Sequence, residues 1–285
     1  MFYPDRRFTL SFELFPPKTP VAEAALWENL TELMAFGPDV VTCTYGAGGS
    51  TRDKTLDIVE QTRRRFGVKV ASHLTCVGST VEQLRSYLAE AERRGVQNIV
   101  ALRGDPPKGE ASFQPVAGGL RYAAELVELI RREFPALGIA VAGYPETHQE
   151  AVSQQADLEN LRRKVAAGGH CVITQLFYDN TDFFRFRERC AELGITAPII
   201  PGILPVTNLS QIQRITALCK ARLPAEFVVE LNKQEDPDWQ FQAGVQWAAR
   251  QVQELIDAGV PGIHFYVLNR SSATAAVLNQ VRRPE

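Results

Sequence analysis

The sequence holds no run approaching the roughly 18 consecutive apolar residues that a membrane helix needs. Its first residues, 1–7, end in Asp5, Arg6 and Arg7 and lack the apolar centre of a secretory signal. The chain is therefore expected in the cytoplasm. An excess of one charge is missing too: 31 Lys and Arg stand against 33 Asp and Glu, for a formal net charge of −2. That balance leaves no electrostatic footprint for nucleic acid or an anionic membrane. Five cysteines (Cys43, Cys76, Cys171, Cys190 and Cys219) lie far apart with no Cys-x-x-Cys pair. None of the four histidines has a neighbour at metal-binding spacing, so no metal site is predicted. The cysteines read as reduced and structural. Nothing arranges a serine and a histidine for nucleophilic catalysis.

What is present is a strict alternation of strand-like and helix-like segments. The 285 residues are 45% hydrophobic and 22% charged, an ordinary globular composition with room for a large core. Short apolar runs at 8–15, 40–45, 68–76, 98–102, 139–143, 171–177, 199–204 and 262–268 predict eight strands. Each is followed by a helix-period segment. The first such helix places Val21, Ala25, Leu26, Leu30 and Leu33 on one face. Ser50 or Thr51 can cap the second helix, Thr80 the third, and Asn180 or Thr181 can start the sixth. After the seventh strand come helical stretches at 208–221 and 238–258. Eight β/α units without a break in composition predict an α/β fold, a single-domain (β/α)8 TIM barrel. Pro201 and Gly202 are awkward inside a strand and suggest a bend where a ligand approaches.

Polar residues that interrupt the apolar pattern gather at the carboxyl ends of the strands. They include Glu13, Thr44, Tyr45, His73, Arg103, Asp105, Tyr144, His148, Gln175, Asn269 and Arg270. A barrel brings those ends together on the face that carries chemistry. Arg103-Gly104-Asp105 follows the buried-looking run 98–102 directly, although a plain ion-paired turn would read the same way. Glu13 sits among Phe12, Leu14 and Phe15, and apolar flanks would raise its pKa and let it hold a proton. An exposed loop carboxylate is the alternative. His73 alone could equally be a satisfied core histidine. The loop 46–51 fails as a dinucleotide fingerprint, because Thr51 fills its third glycine position, yet its amides could still line a ligand. In 156–164 an acid precedes three bases within two turns: a solvated helix face, or a contact for a nucleotide cofactor.

Taken in order, the motifs resemble the methylenetetrahydrofolate reductase family in its bacterial, catalytic-domain-only form. The resemblance rests on eight stretches: 11–18 (SFELFPPK), 41–47 (VTCTYGA), 73–76 (HLTC), 101–107 (ALRGDPP), 144–148 (YPETH), 173–177 (ITQLF), 201–206 (PGILPV) and 264–270 (HFYVLNR). It implies an FAD-containing barrel that reduces 5,10-methylenetetrahydrofolate to 5-methyltetrahydrofolate with NADH or NADPH, in one-carbon metabolism and methionine synthesis. The implied cycle is ping-pong, with nicotinamide and folate using one face of the flavin in turn. Glu13 matches the family's general acid. Asp105 matches a carboxylate beside flavin and pterin, where negative charge tunes the flavin potential.

The resemblance further assigns Thr44, Tyr45, Ala47, His73, Arg103, Gly104, Asp105, Tyr122, Ala123, Tyr144, His148, Asp157 and Lys164 to FAD. Asp105, Gln175, Gln211 and Arg270 fall to the substrate, Arg270 suiting its carboxylate-bearing tail. A homo-oligomer is the expected assembly. Two departures are visible. Ile215 stands where some members have an aromatic residue that stacks on folate, and Leu14 replaces a common phenylalanine. A chain ending at Glu285 is expected to lack the regulatory domain of the eukaryotic enzymes. The competing readings are a flavin-free barrel lyase or aldolase, which would need an inward lysine where the strands offer only Lys69, and a non-catalytic barrel subunit.

Overall fold

The computed structural model describes residues 8–45, 52–106, 109 and 112–284. Within them nine strands form one parallel sheet: β1 Thr9–Leu14, β2 Val40–Cys43, β3 Lys69–Thr75, β4 Asn98–Leu102, β5 Gly138–Gly143, β6 Cys171–Thr174, β7 Ile199–Ile200, β8 Gly202–Ile203 and β9 Gly262–Tyr266. The order β7-β6-β5-β4-β3-β2-β1-β9-β8 makes a barrel, because β7 and β8 are the two halves of one interrupted strand. β7 pairs with β6, and β8 pairs with β9. The (β/α)8 expectation holds.

The interruption has a local cause. Pro201 has no N–H to give the ladder, so only its carbonyl takes part, accepting from His264 N at 3.0 Å. At Gly202 a Cβ would come within 2.3 Å of the Thr174 carbonyl and 2.7 Å of the Tyr266 ring. The Gly202 N–H is satisfied by Thr174 Oγ1 at 2.9 Å. The close approach read from the sequence is therefore made by the protein's own Thr174 and Tyr266.

Ten helices separate or follow the strands among the described residues: α1 Pro20–Met34, α2 Arg52–Phe66, α3 Val81–Arg93, α4 Ala123–Glu133, α5 Gln154–Ala166, α6 Asn180–Glu192, α7 Leu209–Cys219, α8 Ala225–Leu231, α9 Pro237–Asp257 and α10 Ser272–Leu278. Side-chain caps set their starts. Thr80 forms a capping box with Gln83, and Ser153 accepts from Ala156 N. Asp179, one residue before the expected start, caps α6. The suggested caps Ser50 and Thr51 fall outside the described residues. On α1 only Leu26, Leu30 and Leu33 are buried; Val21 and Ala25 face solvent, so its apolar stripe is narrower than the sequence suggests. The sequence pattern missed α8, a seven-residue helix with the β-branched pair Val228-Val229.

Three cores result. The largest lies between sheet and helices, with Phe12, Leu74, Ile99, Val141 and Phe265 among its fully buried side chains. A small one fills the barrel with Val40, Ala71, Val100, Ala140, Cys171, Ile173 and Ile200. A third packs α7 and α8 over the late strands through Leu176, Leu204, Ile212, Phe227 and Leu231. Phe227 stacks on Trp247 there, with ring centroids 4.5 Å apart. All five cysteines are free and all but Cys219 are buried.

Candidate active site

The strands stop early, at Cys43, Thr174 and Tyr266, so Thr44, Tyr45 and Gln175 stand just beyond the ladder at its carboxyl end. Glu13, one residue before the end of β1, points into the barrel and is buried. Its Oε2 lies 3.3 Å from His73 Nε2 and 3.5 Å from His264 Nε2. These separations are longer than formed hydrogen bonds, and neither Nε2 has a hydrogen-bond partner among the described residues. His264 is fully buried, and its Nδ1 is 2.8 Å from Ser11 Oγ. With the proton on Nε2, that Nδ1 accepts from the serine hydroxyl, which fixes the ring facing Glu13. The buried Cys43 thiol is pushed up by desolvation and further by the Glu13 charge.

The expectation of a raised Glu13 pKa is corrected. Burial does push it up, but the two imidazoles facing it, His73 first and then His264, outweigh burial and hold the carboxyl at about 2. An apolar sequence neighbourhood says nothing about His264, which reaches Glu13 across the closure of the barrel.

A second cluster surrounds the ends of β4 and β5. The Arg103 guanidinium binds Glu150 through two hydrogen bonds of 2.7 and 2.9 Å and lies 5.2 Å from the Phe113 ring centroid. The ion-paired turn exists, then, but its acid is Glu150 and not Asp105, which is exposed. Gly104 has φ +88, and a Cβ there would fall 2.7 Å from Val77. Only glycine lets the chain pass at that point.

Tyr144 and His148 pack edge to face with centroids 4.6 Å apart. Asp157 accepts from His148 N at 2.9 Å, and Lys164 donates to the Ala142 carbonyl at 2.6 Å. Burial dominates both charges: Asp157 is pushed up, and the Lys164 ammonium is drawn down to about 8 despite the attraction of Asp157. His148 is lowered by burial and by Arg103. Segment 156–164 is thus divided. Asp157 and Lys164 turn inward, while Arg162 pairs with Glu159 on the surface.

The loop between Tyr144 and His148 is held under strain. Thr147 adopts φ +85, a left-handed conformation costly for a β-branched residue. Next to it, Glu146 accepts from Arg222 N at 2.9 and 3.1 Å, and Arg222 itself grips Asp179 and Asp182. Burial, opposed by the Arg222 N–H and helped by Asp182, raises Glu146 to about 7.

Elsewhere, Tyr45 OH accepts from Arg52 Nε at 2.5 Å, and Thr44 accepts through its carbonyl from Thr55. Tyr122 is 57% exposed and, with Ala123, begins α4. Gln175 folds its amide oxygen onto its own chain, at Leu176 N. Gln211 and Arg270 line one pocket of about 690 Å³, with Phe15, Thr207 and Asn208. Ala47 lies outside the described residues. The structure thus unites Glu13 with His73, Arg103 and Asp105 with Tyr144, His148, Asp157 and Lys164, and Gln211 with Arg270. No side-chain hydrogen bond or ion pair among the described residues joins Gln175 or Tyr122 to these groups. His264, Ser11, Glu150 and Arg214 were not foreseen. For His264 a signal existed: it shares the strand alternation of Tyr266 in a motif with a charged end.

Comparison with known proteins gives a consistent picture. A sequence model described as Methylenetetrahydrofolate reductase matches residues 3–282. The 5,10-methylenetetrahydrofolate reductase of Pectobacterium carotovorum subsp. carotovorum is 40% identical over 274 residues, covering 95% of this chain and 89% of the relative. That of Escherichia coli (strain K12) is 39% identical, covering 95% and 90%. A probable methylenetetrahydrofolate reductase (NADH) of Oryza sativa subsp. japonica is 38% identical over 96% of this chain. The chain spans about half the length of such plant relatives, 48% in that case. Among solved structures, an uncharacterized Clostridium thermocellum protein that binds two copies of 5-methyl-5,6,7,8-tetrahydrofolic acid has a TM-score of 0.65. It is 13% identical, with 96% of this chain and 94% of that one covered, a likeness of fold alone.

Proposed function

The chain belongs to the methylenetetrahydrofolate reductase family, and from that premise we propose that it reduces 5,10-methylenetetrahydrofolate to 5-methyltetrahydrofolate in the cytoplasm, with NADH or NADPH as donor and FAD as resident cofactor. One observation carries the reading: a carboxylate enclosed at the active end of the barrel, facing two imidazoles whose Nε2 atoms have no other partner among the described residues.

The residues present suit FAD. The Lys164 ammonium is buried with one carbonyl and one carboxylate for company, so an anionic pyrophosphate would complete its surroundings. Tyr144 and His148 offer an aromatic pair beside it, and Gly104 lets backbone come close. Thr44, Tyr45, Ala47, His73, Arg103, Tyr122, Ala123 and Asp157 would hold the remainder. FAD, when bound, supplies the hydride relay between nicotinamide and folate.

The protein's own share is orientation and one proton. Glu13 rests anionic and, with His73 and His264 facing it, forms one group able to hand on a proton. Glu13 passes it to the folate nitrogen that departs as the five-membered ring opens, and the imidazole side resupplies it. The carbon–nitrogen bond breaks with its electron pair on nitrogen, and the exocyclic carbon becomes an iminium that can accept hydride. Asp105, at the mouth, accepts hydrogen bonds from the pterin; Gln175 serves nicotinamide and folate in turn; Gln211 and Arg270 hold the tail.

An anaerobic visible spectrum tests this. The purified protein, reconstituted with FAD where needed, should show a flavin band that bleaches with NADH or NADPH and returns on adding methylenetetrahydrofolate. A protein that stays colourless overturns the cofactor assignment. The lyase reading gains one observation, the buried Lys164 with its lowered pKa. Borohydride trapping with a carbonyl substrate should leave Lys164 unmodified; a trapped adduct there favours the lyase.

A further inference from the structure

Three carboxylates converge on one residue, Arg222, in the short connection between α7 and α8. Its guanidinium binds Asp179 and Asp182, at the start of α6, at 2.9 and 2.8 Å, and its backbone N–H binds Glu146. Arg185 is the other cation paired with them among the described residues, 2.5 Å from Asp182. Two positive charges thus face three negative ones. One proton restores the balance, and Glu146 stands close enough to Asp182 to give it a hydrogen bond when protonated. Two further titratable groups face Glu146, the Tyr178 phenol and the Cys219 thiol. Burial pushes both up, so neither is charged near neutral pH.

The contact joins two distorted stretches of chain. Thr147, beside Glu146, has φ +85, and Lys220, two residues before Arg222, has φ +55. Left-handed conformations at such residues persist only where the surroundings enforce them. Glu146 lies between Tyr144 and His148 in sequence, the aromatic pair that the cofactor reading sets against the flavin.

We propose that Glu146 is a positioning residue for the flavin: a proton shared with Asp182 clamps the loop 144–148 to the α7–α8 connection, and losing it loosens the hold of Tyr144 and His148 on FAD. This rests on the FAD reading above. Burial, with Asp182 alongside, lifts Glu146 from 4.5 to about 7. A carboxyl raised by its folded surroundings stabilises them while protonated, so the clamp is complete at low pH and weakens as pH rises through about 7. Linkage between those two values makes opening of the loop about tenfold easier at about pH 8 than at about pH 6.

The test is the rate of FAD release from the holoenzyme at those two pH values, followed by flavin fluorescence after dilution. Wild type should release FAD about tenfold faster at the higher pH. Glu146→Gln keeps an acceptor for the Arg222 N–H and a donor for Asp182 but carries no charge, so release should be slow at both. Glu146→Ala should be fast at both. Lys164 also titrates in this range, at about 8, and does so alike in all three proteins. A wild type without the step, or a step undiminished in Glu146→Gln, overturns the proposal while the FAD reading stands. A wild type that takes up no FAD at either pH overturns the reading itself.

Discussion

The interior of the barrel has two unlike halves. From β4 round to β7 it is lined by Val100, Leu102, Ala140, Cys171, Ile173 and Ile200, which pack as an ordinary apolar core. From β9 through β1 to β3 that core continues only in Val40 and Ala71, and the rest of the lining is Ser11, Glu13, Thr42, His73, Thr75 and His264, all buried. Seven buried side-chain polar atoms lack a partner among the described residues, and four of them are on this side: Thr42 Oγ1, Thr75 Oγ1, His73 Nε2 and His264 Nε2. Native cores rarely tolerate such groups, each costing roughly 1–3 kcal/mol. One half of the lumen is thus organised for stability, and the other spends part of that stability on buried polar groups, which the proposed function uses.

Substitutions can break this division or sharpen it. The largest effect is expected at Glu13. Glu13→Gln keeps the shape but cannot carry the proton, so folate reduction should fall about 10²–10⁴-fold while NAD(P)H oxidation is spared. Stopped-flow measurement of the two half-reactions decides it, and an equal loss in both would assign Glu13 a purely structural part. On the apolar side, Ile200→Ala should cost about 2–5 kcal/mol in urea unfolding and leave the pH profile of folate reduction in place. A shifted profile would mean that the halves are coupled.

His264→Gln should lift the Glu13 carboxyl toward its ordinary range, because one of the two imidazoles holding it down is lost. The acidic limb of the folate half-reaction should then move to higher pH, with a smaller loss of rate than at Glu13. The smallest effect concerns acid unfolding. Glu13 titrates near 2 in the native chain and near 4.5 when unfolded, so the unfolded state binds the extra proton between those values. Its contribution to stability is complete above about pH 4.5 and is lost as pH falls through about 2. Urea midpoints from pH 2 to 5 should therefore rise less steeply with pH in Glu13→Gln than in wild type.

The eight β/α units were legible because a buried parallel strand leaves a short apolar run between breakers, and each unit repeats it. Glu13, His73 and the 103–105 turn were legible for the same reason, as polar groups ending such runs. Features that depend on distant partners were not. The direction of the Glu13 pKa is set by His73 and His264, 60 and 251 positions away, and the acid held by Arg103 is Glu150, 47 residues on. The divided seventh strand needed knowledge of Thr174 and Tyr266 as its neighbours. In 156–164 the inward pair and the outward pair look alike in one dimension, and only the orientation of α5 separates Lys164 from Arg162.

The contact between Ser11 and His264 joins positions 253 apart, across the seam where the last strand meets the first. On a ribosome adding about 5–20 residues per second, Ser11 waits on the order of ten to fifty seconds for that partner to be made. The first six strands can line up in the order of synthesis as an open sheet, since each pairs with its predecessor. Once His73 has been made, and until His264 follows it, the nascent chain holds Glu13 with only one of its two imidazoles. The carboxylate–imidazole cluster is completed by the same event that closes the ring, so under the proposed function the appearance of folate reduction during translation would serve as a clock for the final step of folding.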